Sequence, residues 1–211
     1  MPLTVLSVAY PFAPVGPDAV GGAEQILSAL DRALAEAGHR SVVIACEGSR
    51  CAGELVAVPT AGGVVDHAAR QRAWATHRRT IASVLASRPI DVVHLHGIDF
   101  AEYLPETAPT LATLHLPLDW YPEWVFQPRR NLWLHCVSAA QHATRPAGAR
   151  LLPPIPNGVS PKLFETRQRK RGHALMLSRI CPEKGIHLAL HAARDADVPL
   201  LIGGEVFPYE A

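Results

Sequence analysis

With 211 residues, 48% apolar and 18% charged, the chain can bury a sizeable core and reads as a soluble globular protein of one domain plus part of another. A formal net charge of +1 excludes bulk attraction to nucleic acid or acidic membranes, so any anion recognition has to be local. The four cysteines, Cys46, Cys51, Cys136 and Cys181, show neither CxxC pairs nor zinc-finger spacing, which predicts free thiols in a reducing cytoplasm and no metal site.

The opening run MPLTVLSVAY has no basic leader and is read as a first strand over Thr4 to Ala9. No stretch reaches the roughly 18 uncharged residues of a membrane span, so no stable membrane insertion is expected. Tyr10 to Gly22 is a Pro/Gly-rich loop. From Ala23, apolar residues at Ile26, Leu27, Leu30, Ala33, Leu34 and Ala37 predict a helix that Gly38 ends.

Val42 to Ala45 and Leu55 to Val58 read as strands, and Asp66 as the cap of a long helix through Ser87 with Trp74, Ile81, Val84 and Leu85 inward. Asp91 to His96, Thr110 to His115, Asn131 to Val137 and Arg150 to Ile155 read as four further strands. Non-alternating apolar runs separated by helices or long connections predict an α/β fold, a Rossmann-like, doubly wound, mostly parallel sheet covered on both faces. Residues 1–156 form this domain, and 157–172 a linker. The basic run from Arg167 to Arg171 carries no interleaved aromatics and reads as a solvated connection, not a nucleic-acid patch. From 173 to 211 a second strand–helix–strand begins, with strands at Ala174 to Leu177 and Pro199 to Ile202. It is an incomplete second Rossmann-like domain whose open faces allow self-association.

Three groups of residues can carry chemistry. Leu175 to Gly185, LMLSRICPEKG, ends a strand and sets Arg179 and Lys184 at the mouth of a helix, a place for a phosphate-bearing ligand. The Gly21-Gly22 turn between the first strand and first helix is either another anion site or a plain strand-to-helix turn. It is neither a Walker A loop nor a dinucleotide fingerprint, which leaves little room for an oxidoreductase. His94, His96, His115 and Ser138 fall at strand ends, where parallel sheets bind ligands. His94 and His96 share a strand face; a metal pair is one reading and packed, hydrogen-bonded histidines the favoured one. After His115 the loop from Pro117 to Arg130 holds Asp119, Trp120, Tyr121, Glu123, Trp124 and Phe126, suited to a sugar acceptor or to a self-packed lid.

Taken together, GGAEQILSALDRALAEAGHRSVVIA, DVVHLHG, LATLHLP, PNGVSPKLF and LSRICPEKGIHLAL follow the order and approximate spacing of the family-4 glycosyltransferases of the GT-B fold, which the chain resembles. The resemblance implies two Rossmann-like domains and hexose transfer, with retention and without a metal or other cofactor, from a UDP-, GDP- or ADP-sugar to a small-molecule or glycan acceptor. It assigns Gly21 and Gly22 to the donor phosphates and transferred sugar, and Arg179 and Lys184 to the donor diphosphate. His115 falls near the transferred sugar as the catalytic candidate, with His96, Asp119, Trp120 and Trp124 on the acceptor side. Asn157 and Gly158 match a structural turn. The family's acidic E-x7-E segment does not occur after Gly204, so the donor domain is expected to be truncated and the chain alone inactive. The alternative is a non-catalytic or split-transferase module that needs a partner with the missing half.

Overall fold

A computed structural model describes residues 1–60, 65–161, 165 and 169–206, and two compact units partition the chain, Met1–Val159 and Ser160–Ala211. The first holds β1 (Thr4–Val8), α1 (Gly22–Glu36), β2 (Arg40–Cys46), β3 (Glu54–Val58), α2 (His67–Ser87), β4 (Val92–Leu95), β5 (Thr110–Leu114), β6 (Leu132–Cys136) and the short α3 (Ala139–Ala143). All six strands run parallel in the order β3-β2-β1-β4-β5-β6. This is the doubly wound Rossmann-like arrangement, and it reverses direction between β1 and β4.

One face of the sheet is apolar across its whole width. Leu6 and Val8 of β1, Val42 and Ile44 of β2, Val93 and Leu95 of β4, Ala112 and Leu114 of β5 and Leu134 of β6 pack with Ile81 and Val84 of α2 and with Phe100 and Tyr103. Asp66 caps α2 as expected, its carboxylate accepting from the Ala69 N–H at 2.7 Å. The other face starts apolar, where Leu27 of α1 meets Val43 and Ala45 of β2. Across β1, β4, β5 and β6 the same face carries Ser7, His94, Thr113 and His135, as the strand registers require.

Two expectations are corrected. Arg150 to Ile155 is not a strand: it makes one bridge, Leu152 with His135, and its N–H groups reach β6 only at Leu152 and Ile155. Pro153, Pro154 and Pro156 have no N–H to donate, so a ladder cannot form along an otherwise apolar run. The inward face of α1 is also displaced. Glu24, Leu27, Ser28 and Asp31 are its buried residues, while Ala33 and Ala37 are exposed. Asp31 accounts for the shift, because its carboxylate accepts from the Ala52 N–H at 2.6 Å and the Gly53 N–H at 3.1 Å, tying the helix to the chain entering β3.

The second unit has β7 (Ala174–Leu177) and β8 (Leu200–Gly203) paired in parallel, joined through α4 (Ile186–Asp195). Leu175, Leu177 and Leu201 share a sheet face by register and are 59%, 73% and 53% exposed. Part of the basic run expected to be a solvated connection, residues 167–168, lies outside the described residues.

Because Asp31 satisfies two backbone donors at once, Asp31→Ala leaves both without an acceptor. A loss of about 2–3 kcal/mol is expected, read as a lower urea midpoint at unchanged slope.

Candidate active site

The reversal of strand order between β1 and β4 sets their carboxyl ends side by side, and the candidate site is built on the segments leaving them. From β1 the chain runs through Tyr10 to Gly21 before entering α1. The Val15 N–H donates to the Ser49 hydroxyl at 2.9 Å, the Arg50 N–H donates to the Val15 carbonyl at 2.8 Å, and the Arg50 guanidinium pairs with Asp18 at 2.7 Å. The glycine turn is therefore pinned to the residues following β2. Gly21 is the N-cap of α1 and Gly22 its first residue, and Gly21 has no side chain to cap the turn. The carboxylate of Glu24 lies at this positive end of the 15-residue helix and bonds the Glu24 N–H, so a ligand anion would have to displace it.

Gly22 sits in open space, where a Cβ would meet nothing within 4 Å. Glu24 folds its carboxylate back over Gly21, and burial raises its pKa. From β4, Gly97 is held where a Cβ would collide with the Tyr103 hydroxyl and the Asp99 carboxylate. Asp99 accepts from Tyr103 at 2.8 Å and from the Trp74 indole N–H; burial nonetheless raises its pKa above the usual range. Tyr10 is raised too, first by burial and then by the neighbouring Asp99.

Four histidines and a threonine continue the site across β4, β5 and β6. The His135 Nδ1–H donates to the Cys136 carbonyl at 3.2 Å, and burial lowers the pKa of the ring, so its Nε2 is a bare acceptor near neutral pH. The Thr113 hydroxyl then donates to His135 Nε2 at 2.7 Å and accepts from His94 Nε2–H at 2.7 Å. The ring of His96 packs 4.1 Å from that of His94, centroid to centroid, and its Nδ1 lies 3.1 Å from Nε2 of His115. Burial pushes His94 down to about 3 and His115 to about 4, with neighbouring histidines adding to the shift; His96 also falls well below its ordinary value.

His115 is half-buried, and the strand ends on either side of it are clamped by Gln141. The side-chain amide of Gln141 donates to the Leu114 and Leu116 carbonyls at 2.8 and 2.7 Å and accepts from the Val137 N–H at 2.9 Å. Ser138, expected near a ligand, instead caps α3 by accepting from the Gln141 N–H.

The remaining candidates divide. Asp119 and Trp120 lie exposed on the single helical turn Leu118–Trp120 directly after His115. Trp124 stands apart, under the Arg129 guanidinium at 5.3 Å and lining an open cavity of about 500 Å³ with Pro146 and Gly148. Tyr121, Val125 and Phe126 are buried, so the aromatic loop partly serves as its own packing. In the second unit, Arg179 follows β7 and lies 3.9 Å from Glu183, Lys184 closes a helical turn, and Gly185 enters α4 with φ +67. His94 hydrogen bonds with Thr113 and His96 with His115, and among the described residues no three His, Cys, Asp or Glu side chains are grouped to hold a metal ion. The four cysteines are free, with Cys51 pushed up to about 11 by burial and Asp31.

The family model for glycosyltransferase family 4 matches residues 20–163, more than half of the chain, from the glycine turn through β6 and beyond. The chain belongs to glycosyltransferase family 4. Among curated proteins none matches it. The glycosyltransferase fold and the transferase class follow from that membership, and sugar donors and acceptors are the substrates it implies. No helix among the described residues is long and apolar enough to cross a membrane.

Sequence reasoning overlooked Thr113, His135, Gln141 and Asp99 in this glycosyltransferase. The alternations HLH at His94 and His96 and TLH at Thr113 and His115 were available, but only the register of β5 on β6 sets His135 against Thr113. The neutral rings also set a pH response. Above about pH 6.5 both folded and unfolded rings are neutral; as the pH falls the unfolded chain takes up protons that the folded rings refuse, so stability is lost toward the folded values of about 4 and about 3. The raised carboxyls of Glu24 and Asp99 act in the opposite sense. His115→Phe isolates one ring: near pH 5, the slope of unfolding free energy against pH is expected to drop by about 1.4 kcal/mol per unit, the equivalent of one proton, in urea titrations at several pH values.

Proposed function

We propose that residues 1–156 form the acceptor-side domain of a retaining, metal-independent glycosyltransferase. Residues 157–172 link it to the start of a donor-binding domain at 173–211. The enzyme moves a hexose from a UDP-, GDP- or ADP-linked donor to a small-molecule or glycan acceptor, with no further cofactor. The observation that carries this reading is the family match over residues 20–163, with the start of α1 after β1 and His96 after β4 both at the sheet's reversal point.

In this reading the turn at Gly21 and Gly22 faces donor phosphate and sugar, with the Glu24 carboxylate moved off Gly21. Arg179 and Lys184 hold the diphosphate and offset the charge that develops on the leaving nucleoside diphosphate. His115, with a pKa of about 4, is too weak a base to take the acceptor proton near neutral pH and serves by hydrogen bonding a sugar oxygen. The departing phosphate takes the proton on the same face, which retains the anomeric configuration. Asp119 and Trp120 follow His115 most closely and are the nearer acceptor contacts; Trp124 belongs to a more distant acceptor subsite. Four free thiols support a reducing, cytoplasmic setting.

The 211 residues contain no E-x7-E segment, so by themselves they lack the carboxylates that would hold the donor sugar and ribose. Donor affinity is expected to be weak and turnover little or none. On a chain completed with an E-x7-E segment, thermal shifts with millimolar UDP-, GDP- and ADP-sugars are expected to show stabilisation by one of them that Arg179→Ala abolishes. No stabilisation by any of them contradicts the donor assignment, and measurable transfer by these residues alone contradicts the predicted inactivity.

The exposed leucines of β7 and β8 favour a second reading, a binding or split-transferase module whose second unit pairs with another chain or with its own copy. A monodisperse monomer by light scattering, with no partner recovered from cells, counts against that reading.

A further inference from the structure

His96 is 3% exposed, and its two ring nitrogens differ in environment. Nδ1 faces His115 Nε2 at 3.1 Å, while Nε2 is buried with no hydrogen-bond partner. Both rings are neutral near pH 7, since burial holds His115 at about 4 and His96 well below its ordinary value. A neutral imidazole carries one proton, so only two arrangements of the pair exist.

If His115 Nε2–H donates to His96, the His96 proton sits on Nε2, a buried N–H with no acceptor. If His96 Nδ1–H donates to His115, the unpartnered atom is instead a bare acceptor. Orphaned buried N–H groups are the rarer defect in folded proteins, which selects the second arrangement. The ring of His94, 4.1 Å away, and the hydrogen bond of His94 to Thr113 hold the His96 ring in its plane.

We infer that His96 is a positioning residue that fixes the tautomer of His115, so that His115 carries its proton on Nδ1 and offers a donor there. No hydrogen bond within the described residues occupies that Nδ1. The pair thus makes His115 selective for ligand atoms that accept, such as a sugar hydroxyl or a phosphate oxygen, and closes its role as a proton acceptor. The nature of the ligand atom rests on the transferase reading; the tautomer does not, so the two can fail separately.

Nitrogen-15 spectra of the histidine rings in the ligand-free chain at pH 7 read the tautomer directly. The expected result is a His115 proton on Nδ1 in the wild type. In His96→Asn the proton stays on Nδ1, because the asparagine amide offers a donor at the same place. In His96→Leu the preference is lost, and a mixture or the Nε2–H form appears. A wild-type His115 protonated on Nε2 overturns the inference, and so does the same tautomer in all three proteins. Should His96→Leu fail to fold, the wild-type and His96→Asn spectra still decide, since Nε2–H in either one contradicts the assignment.

Discussion

The structure depends on the point at which the parallel sheet changes direction. Strands β1 and β4 are neighbours though far apart in sequence, and α1 and α2 pack on opposite faces of the sheet. The carboxyl ends of β1 and β4 therefore cannot be covered by a local connection, and two chain segments meet there: the glycine turn leading into α1 and the His96–Gly97 exit from β4. Within the first unit, several residues assigned to the site follow these strand ends or hold the backbone there in place. Arg50 and Ser49 pin the glycine turn, Asp99 and Tyr103 crowd Gly97, and Gln141 clamps the backbone around His115.

The same constraint explains the division of the sheet into a fully apolar face and a mixed one. On the mixed face α1 packs with Val43 and Ala45, while Ser7, His94, Thr113 and His135 lie on the same face across β1, β4, β5 and β6. His94, Thr113 and His135 persist there because they satisfy one another: the directions His94 to Thr113 to His135 to the Cys136 carbonyl use each proton once. The Ser7 and Ser41 hydroxyls and His96 Nε2 are buried without a partner, the kind of local deficit tolerated where a neighbouring group has a task.

Much of this was legible in the sequence. Largely apolar runs of four to seven residues marked the first unit's six strands, and Asp66 marked the start of α2. The ordered motifs from Gly21 to Gly185 identified the family. What failed did so for physical reasons. Arg150 to Ile155 has strand-like hydrophobicity, but its prolines remove the donors a ladder needs. The helix periodicity of α1 located a helix without locating its buried side, because that side is set by Asp31 reaching backbone N–H groups 21 and 22 residues away. His96 and His115 were named, but their partnership is a product of strand register, which one sequence does not encode locally.

The central claim is that sugar-donor chemistry occurs at the β1/β4 reversal point, between the first turn of α1 and the His96–His115 pair. Hydrogen–deuterium exchange with and without saturating nucleotide-sugar tests this most directly. The account predicts slowed exchange at Gly22 to Gln25 and around Gly97 and Leu116, with little change along β3 and the exposed side of α2. Bound donor that leaves those segments unchanged and protects residues elsewhere in the first unit would contradict it.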